Sequence, residues 1–234
     1  MLSFDSINVS EDIKSVLNKY NVEFVFQPIF SRTGKVVGHE ALMRPEGKNI
    51  LDFIDEMKEL GKLHELELLT FFGATLEYKQ RKYDALLSIN SFPSEAFTRE
   101  EALEYSLCFR PIKEKLIVEI LEYTEEKHWT WTAKREHIDN YKGIEVALDD
   151  FGTGNNDSRA VDYYKPNMIK LDRSLISGID TNPEKQSRLR ELIDEMHKRV
   201  IVVLAEGIET KEEYEFLFNS GVDFFQGYYL GRPA

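Results

Sequence analysis

With 234 residues, 42% of them hydrophobic and 31% charged, the chain has the balance of a soluble globular protein able to bury a sizeable core. A net charge of −12 without any basic tract argues against a duplex nucleic-acid binder, which must offer many Lys and Arg to phosphates. No stretch approaches the ~20 apolar residues of a membrane span, Met1-Leu2-Ser3-Phe4-Asp5 lacks the basic-then-apolar pattern of a secretory signal, and the lone cysteine, Cys108, rules out an intrachain disulfide, so a reducing cytoplasm is the expected compartment.

Along the chain, short apolar β-branched runs alternate with longer helical patterns. A lead-in helix is expected over roughly Ser10 to Tyr20, packed beside the hairpin that follows. Strands are predicted over Glu23 to Ile29 and Val36 to Leu42, joined only by Phe30 to Lys35. That connection has hairpin length and is too short for a crossover helix, so the first strand should run antiparallel to the second. Asp52 to Leu76 then carries Phe53, Ile54, Met57, Leu60, Leu63, Leu66, Leu69 and Phe72 at three- and four-residue spacing, the pattern of one amphipathic helix. Further strands are predicted over Ala85 to Ile89, Leu116 to Ile120, Glu145 to Leu148, Met168 to Leu171, Ile201 to Ala205 and Phe224 to Gln226. Helices fall over Pro183 to Lys198, with Leu189, Leu192, Ile193 and Met196 on one stripe, and over Thr210 to Asn219. Seven or eight βα units in one chain of this length predict an α/β fold, a modified (β/α)8 barrel with an antiparallel first strand. With no linker or low-complexity run, residues 1–234 read as one domain, 1–21 being the helical lead-in.

Carboxylates recur where these strands end. Glu40 lies near the end of the Val36 run, Asn90 follows Ile89, Glu119 closes Leu116-Ile117-Val118, Asp149 and Asp150 follow Leu148, Lys170 and Asp172 bracket the end of Met168-Ile169, Glu206 follows Ala205, and Gln226 follows Phe225. One buried acid at a strand end is ordinarily a helix cap or half of an ion pair, because desolvating an unpartnered carboxylate costs several kcal/mol. A series of them is different, since the C-terminal ends of parallel barrel strands converge on one rim, where barrel enzymes do their chemistry. Such a rim repels itself unless cations neutralise it. Hard oxygen donors with no Cys or His among them select Mg²⁺ or Mn²⁺. Two such ions ~4 Å apart can clamp a phosphodiester displacement and lower the pKa of a bound water, and the Lys170 ammonium can orient that water or meet charge on phosphate. The residues thus lead to metal-assisted phosphoester hydrolysis, with the substrate left open.

At these same positions the chain resembles the EAL family of cyclic di-GMP phosphodiesterases. Glu40-Ala41-Leu42 stands inside Gly38-His39-Glu40-Ala41-Leu42-Met43-Arg44, preceded by Gln27-Pro28-Ile29. It is followed in order by Ile89-Asn90-Ser91, Val118-Glu119-Ile120-Leu121-Glu122, Leu148-Asp149-Asp150-Phe151-Gly152-Thr153-Gly154, Ile169-Lys170-Leu171-Asp172-Arg173-Ser174, Ala205-Glu206-Gly207-Ile208-Glu209-Thr210 and Phe225-Gln226-Gly227-Tyr228-Tyr229-Leu230-Gly231-Arg232-Pro233. The resemblance implies hydrolysis of cyclic di-GMP to linear pGpG. It assigns Glu40, Asn90, Glu119 and Asp149 to a first metal and Asp149 with Asp150 to a second. Lys170 would hold the nucleophilic water, Glu206 would serve catalysis as a base, and Glu122 would anchor the loop after Asp150. Gln27, Arg44, Asp172 and Gln226 would contact substrate. Asp172 and Glu209 also read as supporting hydrogen-bonders, Arg44 as a simple partner of Glu46, and Phe225, Tyr228 and Tyr229 as packing residues.

Two stretches depart from the family's pattern. Asn155-Asn156-Asp157-Ser158 replaces the usual Tyr-Ser-Ser-Leu, which bears on the homodimer the family implies. Pro45-Glu46-Gly47-Lys48 is short and bears on the substrate cleft. A second reading, from a different class, is a receptor that binds cyclic di-GMP without turning it over, and a third is a protein-interaction module that keeps only the fold. The intact acids and Lys170 favour the enzyme.

Overall fold

The computed structural model describes residues 3–121, 134, 144–152 and 158–234. Its strands are β1 (Val22–Ser31), β2 (Val36–Pro45), β3 (Leu86–Ser91), β4 (Leu116–Ile120), β5 (Glu145–Phe151), β6 (Met168–Leu171), β7 (Val202–Ala205) and β8 (Phe224–Phe225), hydrogen-bonded in chain order as a closed barrel. The parallel ladder β5-β6-β7-β8 meets an antiparallel β1, with Phe30 opposite Phe225 and Ser31 opposite Phe224. This is the mixed barrel expected from the short β1–β2 connection, whose turn is closed by Ser31 N–H donating to the Lys35 carbonyl at 2.9 Å. The helices among the described residues are α1 (Glu11–Leu17), α2 (Ile50–Glu59), α3 (Leu63–Gln80), α4 (Arg99–Lys113), α5 (Ser158–Tyr164), α6 (Arg173–Ile176), α7 (Pro183–Lys198) and α8 (Lys211–Asn219).

The single helix expected over Asp52 to Leu76 is two. Gly61 sits at φ +64°, the left-handed region that glycine enters without penalty. The Lys62 N–H returns to the Met57 carbonyl at 2.7 Å and the Gly61 N–H to the Lys58 carbonyl at 3.0 Å, a Schellman stop that satisfies carbonyls left open at the helix end. The apolar period runs on across this stop, which hides it from a periodicity argument. The two helices differ in character. α2 buries only Phe53 and Met57, whereas α3 is buried on most of its circumference, from Leu66 through Leu76 and again at Tyr78.

The chain divides into two compact units. The first comprises Met1–Phe26, Ala41–Val118 and Glu125–Ile144. Its core is α3 with the aromatic cluster of Phe71, Phe72, Phe97, Tyr105 and Phe109, whose rings meet mostly edge to face at centroid distances from 5.2 to 6.1 Å. α1, expected beside the hairpin, has α3 as its main packing partner, through the buried Ile13 and Leu17.

The second unit comprises Gln27–Glu40, Glu119–Thr124 and Glu145–Ala234. β6 is buried over its whole length and β7 over most of it, as a parallel strand covered on both faces must be. Residues such as Ile169, Val203 and Leu204 each contribute about 2 kcal/mol through burial. α7 starts at Pro183 behind Asn182, whose side chain accepts from Lys185 N–H, and buries Leu189, Ile193 and Met196 as its stripe predicts.

Candidate active site

Lys170 is the hub of the second unit's polar interior. Its side chain is 1% exposed, on a strand otherwise made of Met168, Ile169 and Leu171. The ammonium nitrogen lies 2.7 Å from Glu119 Oε2, 2.9 Å from Asp149 Oδ1, 2.5 Å from Glu206 Oε1 and 3.7 Å from Glu40 Oε1. Burial opposes its charge, but Asp149, Glu119 and Glu40 together outweigh that and hold its pKa well above the ordinary lysine value. Lys170 therefore acts as a fixed cation and hydrogen-bond donor. Burial pushes the Glu119 carboxyl up to about 8, against Lys170 and helped by the neighbouring charges of Glu40 and Asp149.

Asp149 and Asp150 are adjacent on β5, and in a regular strand their side chains would point to opposite faces. Between Leu148, opposite Ile169, and Phe151, opposite Leu171, β5 advances three residues while β6 advances two. This bulge carries Asp150 at φ +48°, a left-handed conformation that Asp tolerates better than most residues. The consequence is chemical. Single carboxylate oxygens of Asp149, Asp150 and Glu206 lie within 4.8 Å of one another, near enough to share a cation. The grouping offers oxygen donors alone, which suits Mg²⁺, Mn²⁺ or Ca²⁺ rather than zinc. Five acids, Glu40, Glu119, Asp149, Asp150 and Glu206, surround or adjoin one ammonium. If all ionise, four negative charges remain uncompensated, the charge of two divalent cations. Glu206 Oε1 touches Lys170 without hydrogen-bond alignment, and Gln226 Oε1 is buried with no partner among the described residues. Buried oxygens in this state are acceptors awaiting a ligand or water.

Gln226 completes the group. Its amide nitrogen donates to Glu40 Oε2 at 2.6 Å, joining residues 186 positions apart. Gln27, buried on β1, instead donates to the Gly231 carbonyl at 3.1 Å. Asp172 Oδ1 accepts the Ser174 N–H at 2.9 Å and caps α6, the supporting hydrogen bond that is one of its two readings. Asn90, half-buried on β3, and Arg44, on β2, belong to the first unit. Arg44 donates to the Met43 carbonyl and lines a cavity of about 380 Å³ with Asn21, Val22, Glu23, Pro45 and Glu46, while Glu46 takes its hydrogen bond from Asn21. Glu122, Gly154 and the altered Asn155–Asp157 stretch lie outside the described residues.

Of the three aromatic residues expected to pack, Phe225 and Tyr229 both meet the Tyr214 ring, and Tyr228 lies at the surface. Phe225 is fully buried against Tyr214 and Phe218, whereas Tyr228 and Tyr229, beyond the end of β8, are 53% and 43% exposed. The Tyr228 ring carries the Arg232 guanidinium at 4.3 Å. Glu213 lies outside the strand-end pattern, yet it is buried and accepts the Glu209 and Thr210 N–H groups at 3.0 and 3.2 Å. The capping-box spacing Thr210-x-x-Glu213 is the signal that would have found it.

Residues 10–233 match the EAL domain family. The cyclic di-GMP phosphodiesterase TpdA of Vibrio parahaemolyticus is 29% identical over 211 residues, which make up 87% of this chain and 35% of that protein. The chain spans between about a quarter and a half of the length of the other curated relatives it matches. Among solved structures, a stand-alone EAL protein from Vibrio cholerae O395 in its cyclic di-GMP-bound form superposes with a TM-score of 0.82 at 26% identity, covering 92% of this chain and 93% of that one. BlrP1 of Klebsiella pneumoniae, in a manganese and cyclic di-GMP complex, gives 0.80 at 24% identity over 93% of this chain and 57% of that one, a likeness of fold. With this match running over almost its whole length, on a closed barrel whose strand ends carry the acids just described, the chain belongs to the EAL domain family.

Proposed function

We propose that this chain is a cytoplasmic, metal-dependent phosphodiesterase that hydrolyses cyclic di-GMP to linear pGpG. The observation that carries the reading is the convergence of Glu40, Glu119, Asp149 and Glu206 on Lys170, with Asp150 brought round by the β5 bulge. Relatives named as cyclic di-GMP phosphodiesterases support the substrate.

Glu40, Asn90, Glu119 and Asp149 would hold one ion and Asp149 with Asp150 a second, Mg²⁺ or Mn²⁺. Bound there, such ions supply a lowered pKa to water and positive charge to the phosphate oxygens. The protein's own groups do the rest. Lys170, held protonated, donates a hydrogen bond to the attacking water and faces the charge growing on phosphate. Glu206, the most exposed of the carboxylates touching Lys170 at 21%, takes the water's proton. The water oxygen bonds to phosphorus, the bond from phosphorus to the 3′ oxygen breaks, and the phosphate stays on the 5′ side of the product. Gln27, Arg44 and Gln226 orient the dinucleotide, and two copies of the chain form a homodimer.

The test is to incubate purified protein with cyclic di-GMP and Mg²⁺, Mn²⁺ or Ca²⁺, with and without chelator, and to follow pGpG by chromatography. Turnover with Mg²⁺ or Mn²⁺, absent with Ca²⁺ and lost in Glu40→Ala and Lys170→Met, is the expected result. Tight binding of cyclic di-GMP without product would identify a receptor instead, and absence of binding would refute both.

A further inference from the structure

We infer that Arg173 is a positioning residue, a strap that ties the exits of β6 and β7 together and so holds the Glu206 carboxylate against Lys170. The inference rests on the reading of Glu206 and Lys170 given above. Arg173 stands in the Ile169–Ser174 motif with no role of its own there; the geometry supplies one. Lys170 and Glu206 meet at 2.5 Å, yet each stands at the end of its strand, where the ladder gives its last support with the Glu206 N–H donating to the Leu171 carbonyl at 3.3 Å. Beyond that point the two chains diverge, into α6 and into the Gly207-Ile208-Glu209 turn.

Arg173, three residues past Lys170, bridges the divergence with both arms of its guanidinium. Nη1 donates to the Gly207 carbonyl, and Nη2 donates to Glu209 Oε2 at 2.7 Å. Its aliphatic stem lies across Gly207, which stands at φ +62°: a β-carbon added there would meet Arg173 Cβ and Cδ at 3.0 Å. The turn is also fixed from its other side. Glu213 accepts the Glu209 and Thr210 N–H groups, and the Gln226 carbonyl accepts the Ile208 N–H at 3.1 Å. Ile208, Glu209 and Thr210 are thus tied to α8 and β8, while Arg173 alone among these contacts ties the turn back to the strand that carries Lys170. A planar fork can reach a carbonyl and a carboxylate together, which a lysine's single nitrogen cannot do with the same rigidity.

Arg173 touches none of the acids around Lys170 in this arrangement, so it acts through the backbone of Gly207. Its removal should lower kcat and leave the substrate's KM and the fold in place. The experiment compares wild type with Arg173→Ala, Arg173→Lys and Glu209→Gln, measuring kcat and KM for cyclic di-GMP with Mn²⁺, thermal unfolding, and amide hydrogen exchange of residues 206–210 by mass spectrometry. In Arg173→Ala we expect kcat to fall at least tenfold, KM to stay within twofold, Tm to move by a few degrees at most, and exchange over residues 206–210 to quicken at least tenfold while α7 is unaffected. Arg173→Lys should restore part of both effects. Glu209→Gln, a change at a half-exposed position that leaves the fold intact, should move both in the same direction by less. Unchanged exchange in Arg173→Ala overturns the inference whatever the turnover. So does unchanged kcat in an active enzyme, or a fall in kcat accompanied by an equal rise in KM and a collapse of Tm. An inactive wild type would sink the phosphodiesterase reading, and the exchange measurement would still decide whether Arg173 holds the turn.

Discussion

Glu67→Gln should destabilise the protein by about 4 kcal/mol, although it leaves the size and shape of the side chain almost unchanged. Glu67 sits inside α3 at 1% exposure and faces three donors. Lys134 Nζ lies 2.7 Å from Oε1, Ser91 Oγ donates to the same oxygen at 2.5 Å, and the Phe92 N–H donates to Oε2 at 3.1 Å. Lys134 is itself 2% exposed and also donates to the Glu95 carbonyl at 2.6 Å. An amide in place of the carboxylate turns an NH₂ toward one of these donors and leaves the ammonium without a counter-charge. Breaking a buried pair from one side costs about 3–5 kcal/mol. In urea, with an m-value of about 3 kcal/mol/M, the midpoint should fall by more than 1 M. The double variant Glu67→Leu/Lys134→Met removes both charges and should recover much of the loss, leaving about 1–3 kcal/mol for the stranded Phe92 N–H and Ser91 hydroxyl. The assay is equilibrium urea unfolding followed by tryptophan fluorescence and circular dichroism. A Glu67→Gln midpoint within 0.2 M of wild type (about 0.6 kcal/mol at that m-value) would show that the pair contributes nothing beyond an ordinary polar contact and would refute the reasoning.

His64 provides a pH dependence with a definite sign. Hydrogen bonding to Glu95, assisted by Glu101 and opposed by partial burial, raises it to about 9, so its stabilisation is fully present below its unfolded value of about 6.5 and disappears as pH rises through about 9. Because its side chain is more than a third exposed, the contribution is about 1 kcal/mol once solvent screening is allowed for. Wild type should exceed His64→Gln in urea-unfolding stability at pH 6 and equal it at pH 10. Gly227→Ala should cost about 3 kcal/mol or more, since the new Cβ would come within 2.2 Å of the Ile208 backbone. A drop in Tm of about 6–12 °C by calorimetry, with loss of turnover as Gln226 leaves Glu40, is the expected outcome.

What the sequence made legible was whatever repeats along it. Alternating strands and helices, an acid or amide at the end of strand after strand, and a β1–β2 connection too short for a helix were enough for the mixed barrel and for most of the cluster around Lys170. What escaped depends on contacts distant in sequence or on single backbone angles. The Gly61 stop is concealed by an apolar period that continues through it. Asp149-Asp150 names two acids, but only the extra residue in β5 brings both toward Glu206. Glu67 reads as a helical glutamate like any other until Lys134, 67 positions on, is found against it. Asp172 caps α6 by accepting the Ser174 N–H, a local contact that the strand-end pattern does not single out.

The seam between β1 and β8 sets a schedule for making the protein. Phe30 waits for Phe225, Arg32 for the Val222 carbonyl, Gln27 for Gly231, and Glu40 for Gln226. On a ribosome adding about 5–20 residues per second, an early strand spends on the order of ten seconds without its neighbour. A nascent chain interrupted before residue 222 carries every acid of the site but lacks the strand that closes the barrel, with unpaired strand edges open to other chains. Assembly of the centre is thereby tied to the synthesis of β8 rather than to the folding of any early piece.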